Sequence, residues 1–250
     1  MLLILSGEGP SDIGRCSQPI GVCRDQDFTA GPMTVLVDQI VSARMGYSIF
    51  RDTPDRAIFV SKAALAAQIE TMKGNKRVVA LTGKKAGQET GYHMKYAWAF
   101  GKMAAGIEVA EDDRGVAVFF RDSDGTNANP GGNWDEKWSS IERGFQRAEY
   151  PRGVPMLPKP TSEAWLLCAA KTPPYGNCEM LEDLPGNIVS ENHPKQKLEE
   201  AFGEHMSAAN LRDWLSDCPL DLERASSMPS FRKFRERLNA VVGQIAGAQE

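Results

Sequence analysis

The sequence predicts an α/β protein, a parallel sheet flanked by helices and followed by a helical C-terminal extension. Two observations predict it. Short apolar runs alternate with segments of helical period up to about residue 170, and beyond residue 171 only short helical patterns remain. The run Val116 to Phe120 is five apolar residues without alternation, as a strand buried on both faces requires.

In chain order, Leu2 to Leu5 reads as a short buried strand broken by Ser6-Gly7-Glu8-Gly9-Pro10-Ser11-Asp12. Residues 14 to 32 show no period and read as a long loop. Met33 to Met45 carries a helical apolar stripe at 33, 36, 37, 40, 41 and 45. Residues 46 to 60 are ambiguous. Ala63 to Met72 reads as a helix ending at Gly74-Asn75, and Arg77 to Leu81 as a strand leading into the basic glycine loop Thr82 to Gly87. A helix over Glu89 to Ala105 precedes the strand at 116. After a polar loop, Asn127 to Asn133, come a helix over Asp135 to Ala148, a strand over Val154 to Leu157, and a helix over Ala164 to Ala170 capped by Thr161 or Ser162. Residues 171 to 193 read as irregular. Short helices follow over Pro194 to Phe202, Ala208 to Leu215 and Phe231 to Ile245, the last burying Phe231 and Phe234.

A net charge of -4 argues against a broadly basic nucleic-acid coat, but is compatible with a local positive groove or with metal bridging carboxylates to phosphate. No run approaches the roughly 18 apolar residues that span a bilayer, and the N-terminal apolar stretch is short for a signal peptide, so a cytoplasmic protein without membrane contact is expected. The cysteines at 16, 23, 168, 178 and 218 lack metal-site spacing. Cys16 and Cys23 could meet in a loop, yet reduced thiols suit the expected compartment better.

The candidate chemistry sits at strand ends. Asp122 and Asp124 follow the strand at 116, where open parallel sheets place ligands, and in extended chain residues two apart face one way. Two carboxylates at about 4 Å repel by roughly 4 kcal/mol at an effective dielectric near 20, and a divalent cation relieves that. Asp, Ser and Gly are also ordinary turn formers, and a plain surface turn accounts for the same residues. Glu8 and Asp12 follow the first strand. Gly7-Glu8-Gly9 is not a dinucleotide fingerprint, because Asp12 stands at the third glycine position and two carboxylates would repel a pyrophosphate. Together the four acids suit one or two hard cations holding a phosphodiester, with magnesium or manganese the expected metal. Glu163 is a further candidate ligand, although a helix-start carboxylate favoured by the macrodipole is the commoner explanation. Lys84 and Lys85 are the first-choice phosphate contacts, with Lys95, Lys159 and Arg121 behind them. His93 pairs with Glu89 at helical spacing and needs no catalytic meaning.

A strand running into Glu8-Gly9-Pro10-Ser11-Asp12 and a later one running into Asp122-Ser123-Asp124 resembles the Toprim domain of topoisomerases, bacterial primases and overcoming-lysogenisation-defect nucleases. Pro160 to Leu167, Pro194-Lys195 and Pro229-Ser230-Phe231 are similar to small stand-alone bacterial Toprim-like proteins. The resemblance implies that Glu8 is a general acid/base or metal ligand, that Asp122 and Asp124 bind magnesium, and that Asp12 is the second acid of the nuclease branch. Ser162 with Glu163 would add to the metal site. It further implies a metal-dependent nuclease acting on DNA or RNA, an ATPase partner, and a role in bacterial defence against phages and plasmids. The gap between Glu8 and Asp122 is long for a Toprim core, which implies an insertion within about 14–75. The domains expected are therefore 1–170, Toprim-like, and 171–250, a helical extension packed on it.

Two other functions stay open. Asp122-Ser123-Asp124-Gly125-Thr126 also resembles the first motif of haloacid-dehalogenase-type phosphatases, with Asp122 as nucleophile and Asp124 as acid/base, although here it lies mid-chain without a later acidic pair. The third function is a non-catalytic partner module whose acidic site is structural.

Overall fold

The computed structural model describes residues 1–18, 21–73, 90–123 and 134–247. The opening apolar run forms β1 (Leu2–Gly7), buried along its whole length. The segment read as a loop then carries three short strands, β2 (Gly14–Cys16), β3 (Val22–Arg24) and β4 (Phe28–Ala30). β2 and β4 pair with each other, while β3 joins the main sheet. Helix α1 (Pro32–Met45) starts with proline at its first turn, where the missing N–H costs nothing, and buries the predicted apolar stripe. The ambiguous stretch resolves into a one-turn helix, α2 (Ile49–Asp52), and a strand, β5 (Ala57–Val60).

α3 (Lys62–Lys73) follows β5 directly, and α4 (Thr90–Glu111) runs past the predicted end at 105 into β6 (Gly115–Phe120). The predicted strand over Arg77 to Leu81 and the loop holding Lys84 and Lys85 lie outside the described residues. So does Asp124. α5 (Trp134–Arg147), β7 (Gly153–Met156) and α6 (Ser162–Ala170) complete the alternation. The tail comprises α7 (Pro194–Phe202), α8 (Ala208–Asp217), the single turn α9 (Leu222–Ala225), which the sequence did not suggest, and α10 (Pro229–Ala246). Between α6 and α7 the only described helical element is a 3-10 segment over Cys178–Asp183.

The five-stranded sheet has the order β3-β5-β1-β6-β7, parallel except for β3. The fold is thus α/β with a mixed, mostly parallel sheet flanked by helices. The stretch read as an insertion supplies β5, the immediate neighbour of β1. α4 and α5 pack together against β6 and β7, and α1 and α10 pack together, with α10 reaching the same two strands. Gly144 permits the α4–α5 approach, since a Cβ there would fall 2.4 Å from the Met94 carbonyl oxygen. The hydrophobic core runs without a break from Leu2 to Ile245. Across residue 170, the Trp165 ring stacks on Phe234 and meets Phe231 edge-on, and its Nε1 donates to Ser230 Oγ at 2.8 Å.

The cysteines depart from expectation. Cys16 is bonded to Cys23 and Cys168 to Cys178, because the fold brings their Cα atoms to 5.7 and 5.3 Å. Cys218 remains a free, exposed thiol. Disulfides are characteristic of oxidising compartments, so the expectation of reduced thiols does not hold for these four cysteines.

Candidate functional site at the switch point of the sheet

From β1 the chain crosses to β5 on one side, and later places β6 on the other side of β1. The strand order therefore reverses between β1 and β6, and the crevice outside their carboxyl ends is where open α/β sheets bind ligands. Gly7 is in register with Phe120, and the Glu8 N–H donates to the Phe120 carbonyl at 3.2 Å. Glu8 from β1 and Arg121 and Asp122 from β6 consequently leave the sheet side by side.

Successive residues of an extended chain point opposite ways, and this divides the predicted acids into two groups. Arg121 turns toward Glu8, and its guanidinium meets Glu8 Oε2 at 2.6 Å. Lys62, the first residue of α3, meets the other oxygen, Oε1, at 3.0 Å. Arg121 is itself buried: its Nη1 donates to the Tyr92 hydroxyl at 3.2 Å, and its guanidinium lies 4.4 Å from the Tyr92 ring centroid. Burial alone would raise the Glu8 carboxyl, but the Lys62 hydrogen bond and the charges of Arg121 and Lys62 hold it below its ordinary range.

Asp122 turns the other way, toward α6. Its Oδ1 accepts the Ser162 N–H at 2.9 Å, while Ser162 Oγ donates to Asp12 Oδ1 at 2.6 Å. Ser162 thus joins the acids from the two strand ends. Thr161 occupies the N-cap position of α6 as predicted, yet its side chain makes no capping bond, and the carboxylate of Asp122 meets the helix start instead. The Thr161 hydroxyl is buried without a partner. Burial pushes the Asp12 carboxyl up to about 6; the charge of Glu163 adds to the shift, and hydrogen bonds from Ser162 and Ser11 oppose it. Glu163 is thereby placed in the Asp12 group, half-buried in the first turn of α6.

The loop carrying Asp12 is held by the start of α1. The Met33 N–H donates to the Asp12 carbonyl at 2.9 Å, and the Gly31 N–H donates to the Ile13 carbonyl at 3.2 Å. Gly31 leaves no room for more: a Cβ there would lie 2.2 Å from the Asp12 carbonyl oxygen.

Two residues here escaped the sequence reading. His93 is buried, and its expected helical partner, Glu89, lies outside the described residues. Its pKa is lowered to about 4 by burial and by the charges of Arg121 and Lys137, and its Nδ1 has no partner. Lys62 was passed over because β5, whose end it follows, was not read as a strand. Of the other basic candidates, Lys159 lies 3.8 Å from Asp183. Among the described residues, no three His, Cys, Asp or Glu side chains are grouped to hold a metal ion. Comparison with protein-family models, curated proteins and solved structures finds no match to this chain.

Proposed function

We propose that the protein is a metal-dependent phosphodiester-cleaving enzyme, a nuclease of Toprim type, acting at the crevice between β1 and β6. One observation carries this reading: Ser162 ties Asp12, from the loop after β1, to Asp122, at the end of β6, at the topological switch point. An acid raised to about 6 by burial, with the charge of Glu163 adding to the shift, suits a cation-binding group. Asp12 and Asp122 would hold magnesium or manganese, with Asp124, Glu163 and Glu8 as the remaining expected ligands. When bound, such a cation neutralises phosphate charge and lowers the pKa of a coordinated water. In this reading the chain's own task is to orient the acids through Ser162 and to exclude water beneath them.

The test incubates the full chain with DNA and RNA substrates plus manganese, with and without the protein encoded next to it. Asp122→Asn and Glu8→Gln are each expected to lose at least about a hundredfold in cleavage rate, as removal of key catalytic electrostatics does. Undiminished turnover by both variants would discard the proposal.

A further inference from the structure

The Glu8 cluster has an excess of positive charge. One carboxylate, half-exposed, is shared by two cations, Lys62 at 3.0 Å and Arg121 at 2.6 Å. The neighbouring His93 is buried and neutral. The side chain of Arg121 is 8 % exposed and its Nε has no hydrogen-bond partner, so this buried guanidinium is not satisfied by the residues around it. A guanidinium has five N–H donors in a fixed fork that fits a tetrahedral oxyanion better than a single carboxylate oxygen. The cluster is also asymmetric in exposure. Arg121 is fixed from beneath by the Tyr92 ring and hydroxyl, whereas Glu8 and Lys62 are about half-exposed, at 48 % and 50 %. Moving Glu8 aside opens the cluster to solvent without disturbing Arg121.

We propose that Arg121 and Lys62 form a binding subsite for a phosphate group, and that the Glu8 carboxylate is a built-in occupant which the phosphate displaces. This deepens the proposed function by adding a site for a substrate phosphate beside the acids, and it rests on that reading for its biological meaning. The subsite itself requires neither metal nor turnover.

The decisive measurement is calorimetric titration of inorganic phosphate into the metal-free full chain. Glu8→Gln removes the competing anion and is expected to tighten phosphate binding by at least about tenfold. Lys62→Gln, at a half-exposed position that folding tolerates, is expected to weaken it by a similar factor. Adding Lys62→Gln to the Glu8→Gln chain should cancel most of the gain. A Glu8→Gln chain that binds phosphate no better than the parent, or a Lys62→Gln chain that binds it equally well, overturns the subsite. A failed nuclease assay leaves this titration unaffected. Conversely, cleavage lost in Glu8→Gln without tighter phosphate binding would retain the enzyme and reject the subsite.

Discussion

The two ends of the central sheet hold charged groups in opposite ways. At the amino end, where β1, β5, β6 and β7 begin, acids are matched by cations. Asp113 takes the Met1 ammonium at 2.9 Å and Arg56 at 3.2 Å, and Glu111 takes Arg24 at 2.6 Å. Glu108 binds Arg152, the Tyr150 hydroxyl at 2.7 Å and the Gly115 N–H at 2.6 Å, and burial with that carboxylate pushes the Tyr150 phenol well up. At the carboxyl end, Asp12 is raised by burial, while His93 Nδ1, Arg121 Nε and the Thr161 hydroxyl lack partners. Buried polar groups are normally satisfied, and among the described residues three of the six buried side-chain atoms without a partner belong to this end. Charge at the first end closes the fold; in the proposed function, charge at the second serves binding.

The comparison breaks first on stability. Glu108→Ala strands the Arg152 charge and the Tyr150 hydroxyl, and is expected to cost about 3–5 kcal/mol in urea unfolding, with phosphate binding unchanged below the transition. A loss under about 1 kcal/mol would mean that the amino end is not the structural one.

The pH dependence of unfolding sharpens the contrast. His93 sits at about 4 when folded against an ordinary 6.5, so the unfolded chain takes up its proton first, and stability falls as pH drops through that window. Asp12 sits at about 6 when folded against an ordinary 3.8, so the folded chain is protonated first and stability rises as pH drops. The two slopes oppose each other. His93→Phe should leave a chain that gains stability from pH 7 to pH 4.5, by roughly 1–2 kcal/mol, and Asp12→Asn one that loses a similar amount over the same range. Parallel pH profiles for the two variants would show that these groups are not the unmatched pair. The smallest effect belongs to Asp122→Asn, which keeps an acceptor for the Ser162 N–H and loses a helix-start charge. It should cost about 0.3–1 kcal/mol while the cleavage test above registers its full loss.

Much of the frame was legible because long apolar periods survive any context. β1, β6, β7, α1, α5, α6 and α10 fall within a few residues of the expected bounds. β5 was not, since Ala57–Val60 is only four residues and follows Pro54 and Asp55, which read as turn. Losing β5 also hid Lys62, and with it half of the clamp on Glu8. The acids at 8, 12 and 122 were placed correctly at strand ends. Their division into two groups was not visible, because it depends on which way Arg121 and Asp122 turn as β6 ends. The burial of His93 was not visible for a related reason: helical spacing names a neighbour along the same helix, but not what the sheet presents to it. The disulfide of Cys168 and Cys178 required the turn after α6, which has no sequence period.

Gly31 has no side chain to offer chemistry, yet it decides where the first acidic loop rests. A single methyl group there would press on the Asp12 carbonyl oxygen and lift that loop from the first turn of α1. Every ionisable atom of the crevice would be retained, with the alignment between the two strand ends gone. Gly31→Ala therefore offers a control that separates the presence of charge from its position, and it lies in a segment that inspection of the acids alone would pass over.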